Sequence, residues 1–270
     1  MSDDNKIAQT ITAVEGLVKA VPVYQDLLQP AVKEIGTSLQ TVAKCVNVAL
    51  SPISVLVWGY DRIQEFINTR VAEKLAGVPS EKIVTPKPEV AGPALEALRY
   101  TGHNDTLREL YANLLATAMD ADTIANAHPA FVEIIKNLSP DEARIMRLFA
   151  VRQRFPIIDL HTYYDEKPNE YAVALVNYSH IGKEAGCEHL HLTQAYVDNL
   201  CRVRLLEIQN GVSIAAPGIY EPLESDLELD DIKLNVEKNG CKFQFNRKIL
   251  EITIWGRQFN HACVVEKNIT

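Results

Sequence analysis

The sequence predicts a mostly α-helical protein with a smaller α+β part. An N-terminal helical bundle or hairpin is expected over residues 1–138, and a second domain over residues 139–270. Three observations predict this class. Apolar residues recur three and four apart through the first half of the chain, as on the buried face of a helix. Proline and capping residues mark helix starts at Pro129 and Pro140. Alternating apolar residues, the pattern of strands, are clearest after residue 230.

Length and charge restrict the class of protein. A chain of 270 residues exceeds a typical single domain, and a hydrophobic content of 47% is enough to fill real cores. The net charge is −8, and no long segment is strongly basic. Proteins that hold nucleic acid by neutralising phosphates need such segments. Nucleic acid is therefore not expected as a partner.

Cysteine usage and the N-terminus predict a cytoplasmic protein. The five cysteines are scattered, odd in number and form no CxxC pair, which is typical of a reducing compartment. The first residues, MSDDNK, are acidic, and no signal-peptide core follows them.

A long apolar seam predicts paired helices over residues 26–76. Its members alternate four and three apart, the spacing of a coiled coil or helix hairpin. Ser51-Pro52 interrupts the seam. The chain here is either one kinked helix or two helices, with Ser51 as N-cap and Pro52 in the first turn; we favour two. Because the apolar side exceeds what one short helix buries, self-association is expected. The seam comprises Leu28, Val32, Ile35, Leu39, Val42, Val46, Ala49, Ile53, Leu56, Tyr60, Ile63 and Ile67.

The most apolar stretch of the chain, residues 46–60, is a candidate for contact with a membrane or a partner. It is too short and too interrupted by polar residues for a membrane span, which needs about 20 apolar residues. Burial against other helices is the simpler interpretation. The alternative is release to the inner membrane on activation, which interfacial aromatic residues would suit. The candidate residues are Val46, Ile53, Leu56, Val57, Trp58 and Tyr60.

Residues 77–93 form a proline-rich segment that predicts an extended connector, and helices are expected over residues 95–138. The helix beginning near Asn104 carries one apolar face and one polar face. His128-Pro129 begins a further helix whose buried side includes Phe131. Ser139 to Glu142 read as a capping box, in which the serine and glutamate side chains each bond the other's backbone N–H.

This arrangement resembles the abortive-infection alpha family of bacterial proteins over roughly residues 20–150, and more loosely towards the C-terminus. The resemblance implies a role in phage defence and supplies no catalytic residues. The positions that carry it are Leu107, Glu109, Leu110, Asn113, Leu114, His128, Pro129, Phe131, Ser139, Pro140 and Glu142.

The C-terminal domain is expected to resemble a winged helix. A helix follows Ser139, residues 156–161 are extended, and a second helix covers residues 193–207. Ile232, Leu234 and Val236 alternate, and Asn239-Gly240 would then close a type I′ hairpin. A strand and a terminal helix would end the chain.

The winged-helix interpretation makes Arg202 and Arg204 candidate nucleic-acid contacts. The acidic run from Glu221 to Asp231 would repel a phosphate backbone, so contact with protein is the simpler expectation.

Few residues suggest chemistry. His180, Cys187, His189 and His191 are ligand types that zinc accepts, but their spacing is loose and surface histidines are the simpler interpretation. We find no P-loop, GxSxG, HExxH or paired-cysteine motif. No cofactor or bound metal is therefore expected, and the protein is expected not to be an enzyme.

Three functions follow from the sequence. The first is phage defence through binding, with a helical effector domain that contacts the membrane on activation and a C-terminal interaction domain. The second is a DNA-binding transcriptional regulator. The third is a metal-dependent enzyme.

Overall fold

The computed structural model describes residues 59–164 and 170–266. The chain divides into two compact units, with the division between Lys136 and Asn137. Helices predominate in the first unit, and the second contains helices and one four-stranded antiparallel sheet. The prediction of a largely helical protein with a smaller α+β part is confirmed at this level.

The described part of the first unit is helical. Ile63 and Ile67 are fully buried, so the end of the predicted seam faces a core. A π-helical turn, Ile67–Val71, interrupts the first helix. Ser51-Pro52 and the rest of the seam lie outside the described residues. The helices are α1 (Tyr60–Phe66), α2 (Ala72–Leu75), α3 (Pro88–Thr101), α4 (Asp105–Ala118) and α5 (Ala130–Lys136).

The extended connector was predicted to end at residue 93, but the structure ends it before Pro88. Helix α3 begins at Pro88 and contains Pro93. Proline suits the first helical position, and Pro93 lies on the exposed side. Val90 and Ala91 are buried, so the core-facing stripe begins before the second proline. Burial outweighs the local cost of Pro93.

The second unit places its helices around the sheet. The strands are β1 (Arg154–Tyr163), β2 (Tyr171–Tyr178), β3 (Leu206–Gln209) and β4 (Lys242–Ile252), in the order β2-β1-β4-β3. The helices are α6 (Pro140–Leu148), α7 (Ile181–Glu184), α8 (Thr193–Arg202), α9 (Glu221–Glu224), α10 (Asp230–Lys238) and α11 (Ile254–Phe259).

The predicted hairpin over residues 232–245 is wrong, because residues 230–238 form helix α10. Leu229 and Val236 lie seven residues apart and are both buried, which fits a helix. Gly240 does have a positive φ of 70°, but Asn239 does not, so no type I′ turn forms. The N–H of Gly240 bonds the carbonyl of Glu237, and that of Cys241 bonds the carbonyl of Val236. This is a Schellman helix end.

The winged helix is not confirmed. Its expected first wing strand is helical, and β4 pairs along its length with the central strand β1. The second helix also ends earlier than predicted, at Arg202, and Leu206–Gln209 is a strand on the other side of β4.

The pairing of β2 with β1 contains two register shifts. Ile158 lies opposite Tyr178 and Leu160 opposite Leu175, so two steps along β1 match three along β2. Val173 lies opposite His161, so the next single step along β1 matches two steps along β2, which is the second shift. Asn177 has a φ of 56° beside the first shift. Such shifts redirect side chains. Asn177 reaches Lys248, whereas the next residue, Tyr178, reaches Asp226.

A buried polar cluster joins three strands. The Nζ of Lys248 on β4 donates to Oδ1 of Asp159 at 2.5 Å and to Oδ1 of Asn177 at 2.6 Å. The backbone N–H of Asn177 also donates to Asp159 at 2.8 Å. Buried charges persist in proteins when they are paired and hydrogen bonded in this way.

Apolar residues on the other side of the sheet support the loop that precedes α10. Ile158, Tyr220, Leu223 and Leu229 form a buried cluster. The hydroxyl of Tyr220 donates to the carbonyl of Lys248 at 2.8 Å and accepts the N–H of Ile214 at 3.0 Å. The segment from residue 214 to residue 229 is thereby held against β1 and β4.

Candidate functional site

A cleft of about 250 Å³ lies in the second unit, beside the end of β2. One wall is apolar and consists of Leu175, Leu190, Leu229 and Ile232. Leu229 belongs to the buried cluster and Leu175 packs against it, whereas Leu190 is 49% exposed. A cleft with an apolar wall and a few convergent polar groups is the usual form of a binding site.

The polar end of the cleft is built from four side chains. The hydroxyl of Tyr178 donates to Oδ2 of Asp226 at 2.9 Å, and Oε2 of Glu228 lies 3.3 Å from the same hydroxyl. The Nε2 of His180 forms a close contact with the same Asp226 oxygen. Two carboxylates, a phenol and an imidazole therefore meet at one end of the cleft.

Asp226 is ionised at physiological pH. Its pKa is lowered to about 2, chiefly because the backbone N–H of Glu228 donates to its carboxylate, with burial opposing the shift. His180 and Tyr178 lower the pKa of Asp226 further. Burial and the neighbouring Asp226 raise the pKa of Tyr178 well above its ordinary value, so the phenol keeps its proton.

The polar end is held in place by local packing. The Oγ of Ser179 donates to the carbonyl of Pro156 at 2.9 Å and accepts the N–H of Ile181. Gly182 in α7 approaches Thr193 at the start of α8 so closely that an added Cβ would lie 2.2 Å from the threonine Oγ1. Gly182 therefore sets the distance between α7 and α8, both of which border the cleft.

The titratable groups of the cleft are engaged with one another. Its tyrosine remains protonated, and its histidine nitrogen Nε2 is occupied by Asp226. Cys187 and Cys201 do not line the cleft, and burial raises the pKa of each thiol to about 11. A reactive cysteine requires a lowered pKa.

A family model described as abortive infection alpha matches residues 59–263, which include the whole cleft. The chain belongs to the abortive infection alpha family. The resemblance found from the sequence is confirmed, and the match extends through the C-terminal unit, where the motif resemblance was looser. No curated protein matches the chain. A solved structure of an uncharacterised protein from the hydrocarbon-degrading marine bacterium Alcanivorax borkumensis SK2 is 21% identical, covers 48% of this chain and 88% of its own, and has a TM-score of 0.34.

Most of the family-motif residues in α4 are part of the hydrophobic core. Leu107, Leu110, Leu114 and Asn113 are all buried. Glu109 is the exception, because its carboxylate pairs with Arg70 at 2.8 Å and Lys74 at 3.0 Å. Burial alone would raise the pKa of Glu109, but these ion pairs lower it overall. Glu109 thus ties α4 to the π-helical turn that holds Arg70 and to α2, which holds Lys74.

The later motif residues begin helices. The Nδ1 of His128 accepts the N–H of Ala130 at 3.1 Å, which caps α5 after the exposed Pro129, and Phe131 is fully buried. The capping box of α6 is present as predicted: Ser139 accepts the N–H of Glu142, and Glu142 accepts the N–H of Ser139 at 2.5 Å. Pro140 occupies the first turn of α6.

The four metal candidates do not converge. His180 pairs with Asp226, whereas the Sγ of buried Cys187 contacts the carbonyl of Asp141 at 3.6 Å. The rings of His189 and His191 are 6.1 Å apart, and His191 lines the cleft. Within residues 59–164 and 170–266, no group of three or more His, Cys, Asp or Glu side chains could hold a metal ion.

The two nucleic-acid candidates are both exposed, with Arg202 at the end of α8 and Arg204 just after it. Both nitrogens of the Arg202 fork, Nε and Nη2, donate to Oδ1 of Asn199 at 2.9 Å and 2.7 Å. Arg204 has a positive φ of 63° in the turn between α8 and β3, and its carbonyl accepts the hydroxyl of Thr253.

The membrane and partner candidates fall largely outside the described residues. Val46, Ile53, Leu56, Val57 and Trp58 precede residue 59, and Tyr60 begins α1. Across the part of the chain that the structure describes, no helix has the length and apolar character to cross a membrane.

Sequence reasoning missed Tyr178, Asp226 and Glu228 as site residues. His180 and Asp226 are 46 residues apart, and only the density of acids in residues 221–231 marked the region. That density predicted repulsion of phosphate but did not locate the cleft.

Proposed function

We propose that this member of the abortive infection alpha family acts in phage defence by binding a protein partner in the cleft, without catalysing a reaction. The N-terminal helical domain is then the effector. Its apolar residues 46–60 contact the inner membrane when the partner is bound, and self-association through the helical seam precedes this contact.

The cleft carries this proposal. It offers an apolar wall and a polar end within one unit of about 130 residues, and all of its lining residues lie inside the family match. Leu190 is half-exposed and Glu228 is exposed, so both are available to a partner. The protonated Tyr178 at the polar end favours recognition over covalent catalysis in the cleft.

Plaque assays in cells that express the protein test this proposal, with propidium uptake recorded through infection. Leu190→Asp adds a charge to the cleft wall at an exposed position, so it should abolish protection while the protein remains folded. Val151→Asp is the matched control, because Val151 is 92% exposed and does not line the cleft. Equal protection by both variants would contradict a role for the cleft.

A separate variant, Val57→Asp, tests the effector segment. Loss of both protection and early dye entry in this variant would support membrane contact by residues 46–60. Protection by the wild type without dye entry would contradict the membrane step and leave the binding step standing. Equal protection and dye entry in wild type and Val57→Asp would remove residues 46–60 from the mechanism.

A further inference from the structure

The buried cluster of Lys248, Asp159 and Asn177 brings an amine, a carboxylate and a carboxamide into contact inside the sheet. Lys248 is 3% exposed, Asp159 is 7% exposed and Asn177 is 9% exposed. Lysine almost never occurs this deeply buried without a specific partner. An ion pair with Asp159 explains the lysine, but it does not require the asparagine.

The asparagine is held against the amine by its backbone. Asn177 adopts a φ of 56° at the register shift of β2, and its N–H donates to the same Asp159 oxygen that receives Lys248. Its Oδ1 lies 2.6 Å from Nζ, so the electrophilic carbon Cγ is one bond from the contact. Reacting groups held in this way reach high effective concentrations.

From this geometry we propose that Lys248 and Asn177 join in an intramolecular isopeptide bond, with Asp159 as the proton carrier. The lysine Nζ is the nucleophile, and the asparagine Cγ is the electrophile. This modification does not depend on the function proposed for the cleft.

The reaction balances without a co-reactant. Asp159 accepts a proton from the ammonium of Lys248, which frees the Nζ lone pair. The lone pair forms the Nζ–Cγ bond, and the Cγ–Nδ2 bond breaks. Nδ2 receives one proton from Nζ and leaves as ammonia. The released ammonia then takes the proton from the carboxyl of Asp159 and becomes ammonium, and Asp159 returns to a carboxylate. Nothing is oxidised or reduced.

The departing nitrogen faces an exit. Nδ2 of Asn177 donates to Oδ1 of Asp198 on α8 at 3.3 Å, and Asp198 is exposed. The amide nitrogen therefore points towards solvent while the amide oxygen points towards the lysine.

The bond would link β2 to β4 across the central strand β1. The two residues are 71 positions apart, so the linkage closes a long loop and restricts the unfolded chain. It would act as a disulfide does, but in a reducing compartment where disulfides are rare.

Mass spectrometry of the purified full-length protein tests the proposal. The intact protein should be lighter than its sequence mass by one ammonia molecule. Proteolysis should release a branched peptide that contains both Lys248 and Asn177. Lys248→Arg keeps the positive charge but cannot form the bond, so this variant should have its full mass. Asp159→Ala should also have its full mass, with folding of both variants checked by circular dichroism.

A mass deficit alone is insufficient, because Asn210 and Asn239 each precede glycine and can lose ammonia by forming a succinimide. Tandem mass spectrometry of the peptides separates the two sources. A deficit located at Asn210 or Asn239 would overturn the proposal, as would a folded wild type that retains its full mass after prolonged incubation. A deficit that persists in Lys248→Arg would overturn it equally.

Discussion

The carboxylate of Asp141 in the first turn of α6 accepts a hydrogen bond of 3.0 Å from the phenolic O–H of Tyr196 on α8. The same carboxylate accepts the backbone N–H groups of Glu188 at 3.0 Å and His189 at 3.1 Å, and it pairs with Arg144. Asp141 is only 3% exposed. Burial would raise its pKa, but these donors together lower it. One side chain thus joins two helices and the loop between α7 and α8.

Replacement of Asp141 should destabilise the protein strongly. Asp141→Ala leaves several buried donors without their acceptor, so we expect the free energy of unfolding to fall by about 3 kcal/mol. Urea denaturation followed by circular dichroism measures this change. Asp122→Ala is the control, because its ion pair with Lys82 is exposed and should contribute little to stability. Equal losses in the two variants would contradict the role of Asp141.

The helical state of residues 230–238 can be tested by two lysine substitutions. Leu234 is 49% exposed and Val236 is 7% exposed, so they lie on different sides of α10. Leu234→Lys should change the free energy of unfolding by less than about 0.5 kcal/mol, and Val236→Lys should cost about 2 kcal/mol. In a hairpin the two residues would share one face, and the two costs would be similar.

Asp226 should contribute to stability above about pH 4. Its pKa is about 2 in the folded protein, below the value of about 3.9 expected for an unfolded chain. The stabilisation is therefore present above the unfolded pKa and is lost as the pH falls from about 4 to about 2. The stability difference between wild type and Asp226→Asn should shrink over that range in urea titrations. Asp231→Asn controls for the loss of one charge nearby. A difference that does not vary with pH would contradict the role of the Asp226 carboxylate.

Gly182→Ala should disturb the cleft, because the added Cβ would lie 2.2 Å from Oγ1 of Thr193. We expect a loss of about 2 kcal/mol in the free energy of unfolding from overpacking. Thr193→Ala removes the closest atom, so the double variant should lose less than the sum of the two single losses. Strictly additive losses, measured by the same urea titration, would show that the two positions do not touch.

Local signals in the sequence predicted the helices that they delimit. The α4 helix carries its own apolar stripe and an N-cap, Asn104, and the capping box of α6 lies within four residues. Such features depend on neighbours in sequence, so one chain is enough to identify them.

The sheet and the cleft could not be predicted in this way. The alternation of Ile232, Leu234 and Val236 fits a strand that would pair with residues 241–245 in a hairpin. Residues 242–245 belong to β4, which pairs instead with β1, some 90 residues earlier in the sequence. The cleft similarly depends on Asp226 meeting His180. Tertiary contacts of this kind override local pattern, and no local motif encodes them.

The two register shifts of β2 have a consequence for how homologous chains can vary. The extra residues in β2 place Leu175 opposite Leu160 and Tyr178 opposite Ile158, and the connection from β1 lies beyond the last pair, Tyr163 with Tyr171. Insertions and deletions in that connection are expected to be tolerated in related sequences. A single deletion between Leu175 and Tyr178 would instead rotate Asn177 or Tyr178 to the wrong face, and we expect natural variation in length to avoid those positions.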